Sequence, residues 1–140
     1  MYLLDTNVVS ELRKVNQGKA DVNVVAWDAS VDATDLYLSV ITVQELEIGV
    51  RLAERRDTAQ GALLRTWLHS HVLPAFDGRI LNVDIAVALR SAALHVPNPC
   101  SIPDSLIAAT ALVHGMTVVT RNVADFASTG VMMINPWDAH

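Results

Sequence analysis

The sequence predicts an α/β fold, with a central, mostly parallel sheet of about five strands flanked by helices. Three observations carry that prediction. Short apolar runs of strand length alternate with longer stretches whose apolar residues fall at helical spacing. The first run, Tyr2-Leu3-Leu4, stops abruptly at Asp5-Thr6-Asn7, as a buried strand with polar groups at its carboxyl end does. In open α/β sheets ligands sit at that end. Finally, 51% of the residues are hydrophobic and 18% charged, so the chain can fill a core and disorder is not expected. At 140 residues it reads as one domain, residues 1–140.

The elements follow in order. A strand covers residues 2–5, and Thr6 caps a helix running from Asn7 to Lys14. After a polar loop from Val15 to Lys19, Asp21 caps a second helix whose apolar positions are Val24, Val25 and Trp27. A turn at Asp32-Ala33-Thr34-Asp35 leads to a strand from Leu36 to Val40. Thr42-Val43-Gln44-Glu45 matches a capping box, and its helix runs to Arg55-Arg56. Asp57-Thr58 opens another helix carrying Leu63, Leu64, Trp67, Leu68 and Val72, which Pro74 stops. A short strand from Arg79 to Val83 precedes a helix capped by Asp84 and ended before Pro97. Pro97 to Ser101 is a rigid loop. Pro103 suits the first turn of the next helix, which closes at His114-Gly115 with glycine as its cap. Ala108, Ala109 and Ala111 let that helix lie close to the sheet. Met116 to Thr120 is the fourth strand, Asn122 to Phe126 a turn or short helix, and Val131 to Ile134 the last strand.

Composition narrows the function. Ten Lys and Arg against fifteen Asp and Glu leave a net charge of −5, which argues against simple neutralisation of a nucleic-acid backbone. It is compatible with an enzyme that gathers carboxylates around a metal and keeps a local basic rim. A single cysteine, Cys100, rules out an internal disulfide and fits a reducing cytoplasm. No signal peptide or membrane-spanning run is visible, so a cytoplasmic protein without a membrane partner is expected.

Four acids share a position type. Asp5 follows the first strand, Glu45 and Asp104 lie in the first turns of helices, and Asp125 follows the fourth strand. In a parallel sheet, strand ends and the starts of the following helices share one rim. Gathered carboxylates repel one another. A hard divalent cation such as Mg²⁺ or Mn²⁺ reverses that cost, lowers the pKa of a bound water and stabilises charge on a phosphodiester. Each acid also has a structural reading. Glu45 fits a capping box, Asp104 a helix dipole and Asp125 a turn. Asp5 needs a partner because it ends a buried strand, and Arg13, Lys14 or Asn7 is near enough in sequence to supply one.

With those positions laid out, the chain closely resembles the PIN domain, in particular the VapC and FitB-like toxins of bacterial toxin–antitoxin pairs. The matching pieces are Leu3 to Glu11, Ser39 to Leu46, Pro103 to Ala111, Thr120 to Phe126 and the ending Ile134-Asn135-Pro136-Trp137. The resemblance implies a PIN-like fold and a Mg²⁺- or Mn²⁺-dependent endoribonuclease, with Asp5, Glu45, Asp104 and Asp125 as catalytic and metal-site acids. Asp5 and Asp104 would bind the metal, and Glu45 would bind through water or position the nucleophile. Family members often carry an acid directly after the Thr-Arg pair, where this chain has Asn122, so Asn122, Asp125 or both complete the site. Thr6, Asn7 and Thr120 look like polar support. The resemblance further implies an RNA substrate, a homodimer and a cognate antitoxin. A toxin–antitoxin hetero-oligomer would reach operator DNA through the antitoxin.

The remaining candidates weigh less. Trp27 and Trp67 read as core or interface, and Cys100 as an ordinary loop residue. His69, His71, His95, His114 and His140 show no metal-ligand spacing. Arg51, Arg55, Arg56 and Arg65 form a basic concentration that reads as a solvated face, or as a local hold on RNA or an acidic partner. Arg121 directly follows the fourth strand, close enough to the acid rim to contact phosphate. Helices at Val43–Leu52 and Ala62–Val72 offer apolar faces for a groove. Two alternatives compete. A haloacid-dehalogenase-like phosphoryl-transfer enzyme would use an Asp5 nucleophile but wants a second acid at position 7, where Asn7 stands. A non-catalytic PIN-fold binding protein would have no use for Asp5, Glu45 and Asp104 together.

Overall fold

The computed structural model of the chain describes residues 1–138, so His140 lies outside the described residues. Its strands are β1 (Tyr2–Leu4), β2 (Leu36–Ser39), β3 (Ile80–Leu81), β4 (Thr117–Val119) and β5 (Met133–Ile134). They form one sheet in the order β3-β2-β1-β4-β5, and every pairing is parallel. From β1 the chain moves outward through β2 to β3, then returns to lay β4 on the other side of β1. The winding therefore reverses between β1 and β4, where sheets of this kind place their ligand crevice.

The helices are α1 (Thr6–Leu12), α2 (Val22–Ser30), α3 (Val40–Arg56), α4 (Thr58–Thr66), α5 (Leu73–Ala75), α6 (Ile85–Leu94), α7 (Ile102–His114) and α8 (Val123–Phe126). Because side chains alternate along a strand, β1 feeds two cores. Leu4 packs with Val8, Val9, Trp27, Leu46 and Leu68 on one face. Leu3 packs with Ile107, Ala108 and Phe126 on the other. Both leucines are fully buried, a contribution of about 1.5–3 kcal/mol each. Ala108, Ala109 and Ala111 are also fully buried, so the small side chains of α7 do lie against the sheet.

Several boundaries differ from expectation, each for a local reason. The cap of α1 is Asp5, not Thr6: its Oδ1 accepts the Thr6 backbone N–H at 2.8 Å. The helix thus begins one residue sooner and the strand ends at Leu4. α3 starts at Val40 with no intervening loop, because the Ser39 hydroxyl accepts the Ile41 N–H at 3.0 Å. No capping box forms at Thr42. Glu45 consequently lies in the second turn of α3 rather than the first, and the buried Thr42 Oγ1 has no hydrogen-bond partner among the described residues. Past α4 a π-helical turn (Trp67–Val72) carries the chain into α5, so Pro74 sits within helix instead of stopping it before Leu73. A π turn re-spaces the carbonyls ahead of the proline, which lacks the N–H to bond them. β3 and β5 are each two residues long, shorter than the runs at 79–83 and 131–134 suggest.

Half of the basic concentration on α3 and α4 is spent on structure, while Arg55 and Arg56 are exposed. The Arg65 guanidinium donates to Glu54 at 2.8 and 2.9 Å and to Glu47 at 3.0 Å, and Arg51 pairs with Glu47 at 2.7 Å. Arg65, with His69, holds the Glu47 carboxyl down to about 2. The two helices touch closely at Gly61, where a methyl group would lie 2.5 Å from the Glu54 Cα. Among the described residues no helix is long and apolar enough to cross a membrane.

Candidate functional site

Asp5 ends the central strand and caps α1 with the same carboxylate. Its Oδ2 accepts the buried Thr120 hydroxyl at 2.8 Å and the Asn7 amide at 3.3 Å, while Oδ1 takes the Thr6 N–H. Of the partners the sequence offered, Asn7 is the one used. Arg13 instead lies over the Trp67 ring, and Lys14 pairs with Glu11. Burial holds the Asp5 carboxyl above its ordinary value of 3.8. Hydrogen bonds from Thr120, Thr6 and Asn7 oppose that shift, and the charge of Asp125 adds to it.

Glu45 reaches the same place from α3. Its Oε1 accepts the Thr6 hydroxyl at 2.6 Å, so one threonine ties Glu45 to Asp5, using its hydroxyl for one and its N–H for the other. Burial raises the Glu45 carboxyl, and the charges of Asp5 and Asp104 raise it further. Asp104 lies in the first turn of α7, where Pro103 sets the helix start and the Ser101 hydroxyl accepts the Asp104 N–H at 3.2 Å. Its carboxyl too is raised, by burial first and then by Asp5 and Asp125. Asp125 is exposed in α8. Its charge helps to raise both Asp5 and Asp104. Asn122, at the start of α8, donates its backbone N–H to Thr120 Oγ1 at 3.0 Å, while its side chain is exposed and makes no cap bond. The structure therefore brings Asp5, Glu45 and Asp104 to the reversal between β1 and β4, with Asp125 within electrostatic reach of Asp5 and Asp104.

Sequence reasoning missed what supports α7 from behind. Ser105, next to Asp104, is fully buried. Its hydroxyl bonds the Ile102 carbonyl at 2.8 Å and receives Ser91 and His95 of the preceding segment, each at 2.9 Å. Ser91 and His95 stand one helical turn apart, which was the available signal. The Cys100 Sγ lies 4.0 Å from the His95 ring nitrogens in the same knot.

Among the described residues, no three His, Cys, Asp or Glu side chains are gathered tightly enough to ligate one ion as they stand. The acids form a rim rather than a finished cage. The chemistry of the donor set nonetheless fits a hard divalent cation: the four acids offer carboxylate oxygens, and three of the carboxyls are raised by burial and by the charge of neighbouring acids. A separate apolar cleft of about 190 Å³ lies between α1 and the π-helical turn, lined by Val9, Leu12, Trp67, Val72 and Phe76.

Residues 2–131 match the family described as the PIN domain. The chain belongs to the PIN-domain family. Relatives span it end to end. The toxin FitB of Neisseria gonorrhoeae is 40% identical, covering 98% of this chain and 99% of that protein. A VapC ribonuclease of Sinorhizobium fredii is 40% identical, with 99% of each chain covered. In three dimensions the PIN fold here superposes on the crystal structure of FitAcB from Neisseria gonorrhoeae with a TM-score of 0.87, at 39% identity and covering 98% of this chain and 99% of that one. A structure of FitAB bound to a DNA fragment gives a TM-score of 0.89 at 37% identity, covering 100% of this chain and 98% of that one.

Proposed function

We propose that this PIN protein, a single domain over residues 1–140, is a Mg²⁺- or Mn²⁺-dependent endoribonuclease toxin. The observation that carries the reading is the convergence of Asp5, Glu45, Asp104 and Asp125 where the sheet's winding reverses. Asp5 and Asp104 would hold the cation, with Asp125 completing the rim and Asn122 beside it. When bound, a divalent cation there would lower the pKa of a water and neutralise charge on the phosphodiester. The residues of the chain do the rest. Thr120, Asn7 and the Thr6 N–H keep Asp5 oriented, and the Thr6 hydroxyl fixes Glu45 by Oε1. That leaves Glu45 Oε2 to orient the attacking water and take its proton. The raised carboxyl suits a group that must accept a proton near neutrality.

The phosphatase alternative is not favoured, because Asn7 spends its amide on Asp5 and Thr120 instead of supplying a second acid. The relatives' names also support partners. FitB is named a toxin, and its solved structures are titled as FitAB and FitAcB complexes, one on DNA. By that likeness this chain would be held inactive by an antitoxin, as a homodimer within a hetero-oligomer that reaches operator DNA through the antitoxin.

The purified chain, stripped of any co-purified antitoxin, should cut single-stranded RNA only when Mg²⁺ or Mn²⁺ is present. Attack by water leaves a phosphomonoester, whereas attack by the RNA's own 2′-hydroxyl leaves a 2′,3′-cyclic phosphate. Cyclic-phosphate products, or undiminished cutting in excess chelator, would count against the proposal.

A further inference from the structure

The acid rim sets a problem for any RNA nuclease. Four carboxylates surround the point of cleavage on a chain of net charge −5, and the substrate is a polyanion. Some cation near the rim must hold the strand. Five of the ten basic side chains are engaged elsewhere, and Arg55 and Arg56 lie in the last turn of α3, about 15 Å along the helix from Glu45. Lys14 pairs with Glu11, Arg51 with Glu47, and Arg65 with Glu47 and Glu54. Arg13 lies over Trp67 away from the acids, and Arg79 donates to the carbonyls of Ala33, Leu36 and Ala75.

Arg121 combines three features at the rim itself. It directly follows Thr120, whose hydroxyl holds Asp5, and its own N–H donates to Asn7 Oδ1 at 3.2 Å. The backbone at Arg121 is therefore pinned to the same residues that orient Asp5. Its side chain is exposed and has no carboxylate within ion-pair distance among the described residues. Instead, the guanidinium lies 5.1 Å from the centre of the Trp137 ring. The backbone under that ring is tied down: the Trp137 main-chain N–H donates to Asn135 Oδ1 at 3.0 Å, and its carbonyl accepts the Asn23 amide at 2.8 Å. A guanidinium held over an indole is restrained by the ring while its N–H groups stay free, so it loses less freedom when they bond a phosphate.

Resting on the ribonuclease reading above, we propose that Arg121, stacked on Trp137, grips a phosphate of the single-stranded RNA next to the one that is cut. Arg121 binds the strand and takes no part in the bond-breaking step. Trp137 is a positioning residue that keeps the fork in place.

The test uses a labelled single-stranded RNA oligonucleotide of mixed sequence, with the full chain and its Arg121→Ala, Arg121→Lys and Trp137→Leu variants. Cleavage under Mn²⁺ is followed for KM and kcat. Binding to the same RNA is followed against salt in an Asp104→Asn background. Arg121→Ala should raise KM roughly tenfold, the loss of one charged hydrogen-bonded contact, and leave kcat within about twofold. The slope of log affinity against log salt should fall by about 0.7, the value for one phosphate of a single strand. Arg121→Lys should keep the slope and lose part of the affinity. Trp137→Leu should keep the slope and raise KM. An unchanged KM and slope in Arg121→Ala overturns the proposal. So does a fall confined to kcat, which would put Arg121 at the reacting phosphate. The Trp137→Leu assays are run well below that variant's melting temperature, and a wild-type KM there removes Trp137. If the wild-type chain neither binds nor cuts RNA, the ribonuclease reading falls and this proposal falls with it.

Discussion

Replacing Thr6 by valine isolates one contact in the site. The Thr6 hydroxyl makes a single hydrogen bond, to Glu45 Oε1 at 2.6 Å, across 39 residues of sequence. Valine keeps the branched shape and the backbone N–H that serves Asp5. A hydrogen bond to a charged acceptor contributes about 1.5–3 kcal/mol when shielded. Glu45 is partly open to solvent, so about 1 kcal/mol is the better figure here. Burial already raises the Glu45 carboxyl, with help from Asp5 and Asp104, and the Thr6 hydroxyl pulls against that rise. Removing it lets Glu45 hold a proton to higher pH. At 1.36 kcal/mol per decade, the acid limb of kcat/KM should move up by roughly one pH unit. Rates of RNA cleavage from about pH 5 to 9 on wild type, Thr6→Val and Thr6→Ser measure this directly. Serine should restore the wild-type limb. Superposable profiles for wild type and Thr6→Val would refute the role given to Glu45.

Three further outcomes follow from the same structure. Asp5, Glu45 and Asp104 all have carboxyls raised in the fold, so their contribution to stability is full below the ordinary values of 3.8 and 4.5 and is lost as pH rises through the raised ones. Without metal the melting temperature should therefore fall across that window, Mg²⁺ should restore it at neutral pH, and Asp104→Asn should flatten the fall. Glu47, held down to about 2, acts oppositely, its contribution being present above 4.5 and lost as pH drops toward 2. Gly61→Ala should destabilise by about 1–3 kcal/mol in urea titration, since the added methyl meets the Glu54 backbone. Thr42→Val should raise the melting temperature by about 3 °C, because it removes a buried hydroxyl with no partner among the described residues.

Much of the frame was legible from local chemistry. Asp21, Asp57 and Asp84 cap the helices that follow them, and Gly115 closes α7 at φ 68°. Each of these signals acts within four residues, which is why sequence carries it. What escaped depends on contacts between distant segments or on a choice between equal local options. Ser39 and Thr42 are both favourable caps by type. Only the direct passage from β2 into α3 selects Ser39, and that choice moves Glu45 into the second turn. The Thr6–Glu45 bond, the Arg65 network and the Ser91–His95–Ser105 knot join elements whose meeting no local pattern announces. Arg121 was recognisable as a cation near the rim, but its stacking on Trp137 joins β4's end to the chain's last described turn. The four acids were legible because a strand end and two helix starts are places that sequence marks well, with Glu45 one turn further along α3.

The most direct test of the site is a calorimetric titration of Mn²⁺ into wild type and Asp5→Asn. Asparagine is as good a cap for α1 as aspartate, so the helix start survives the change. The account predicts saturable binding to wild type and at least about tenfold weaker binding to Asp5→Asn. Equal affinity in the two proteins would contradict it, and would remove Asp5 from the metal site.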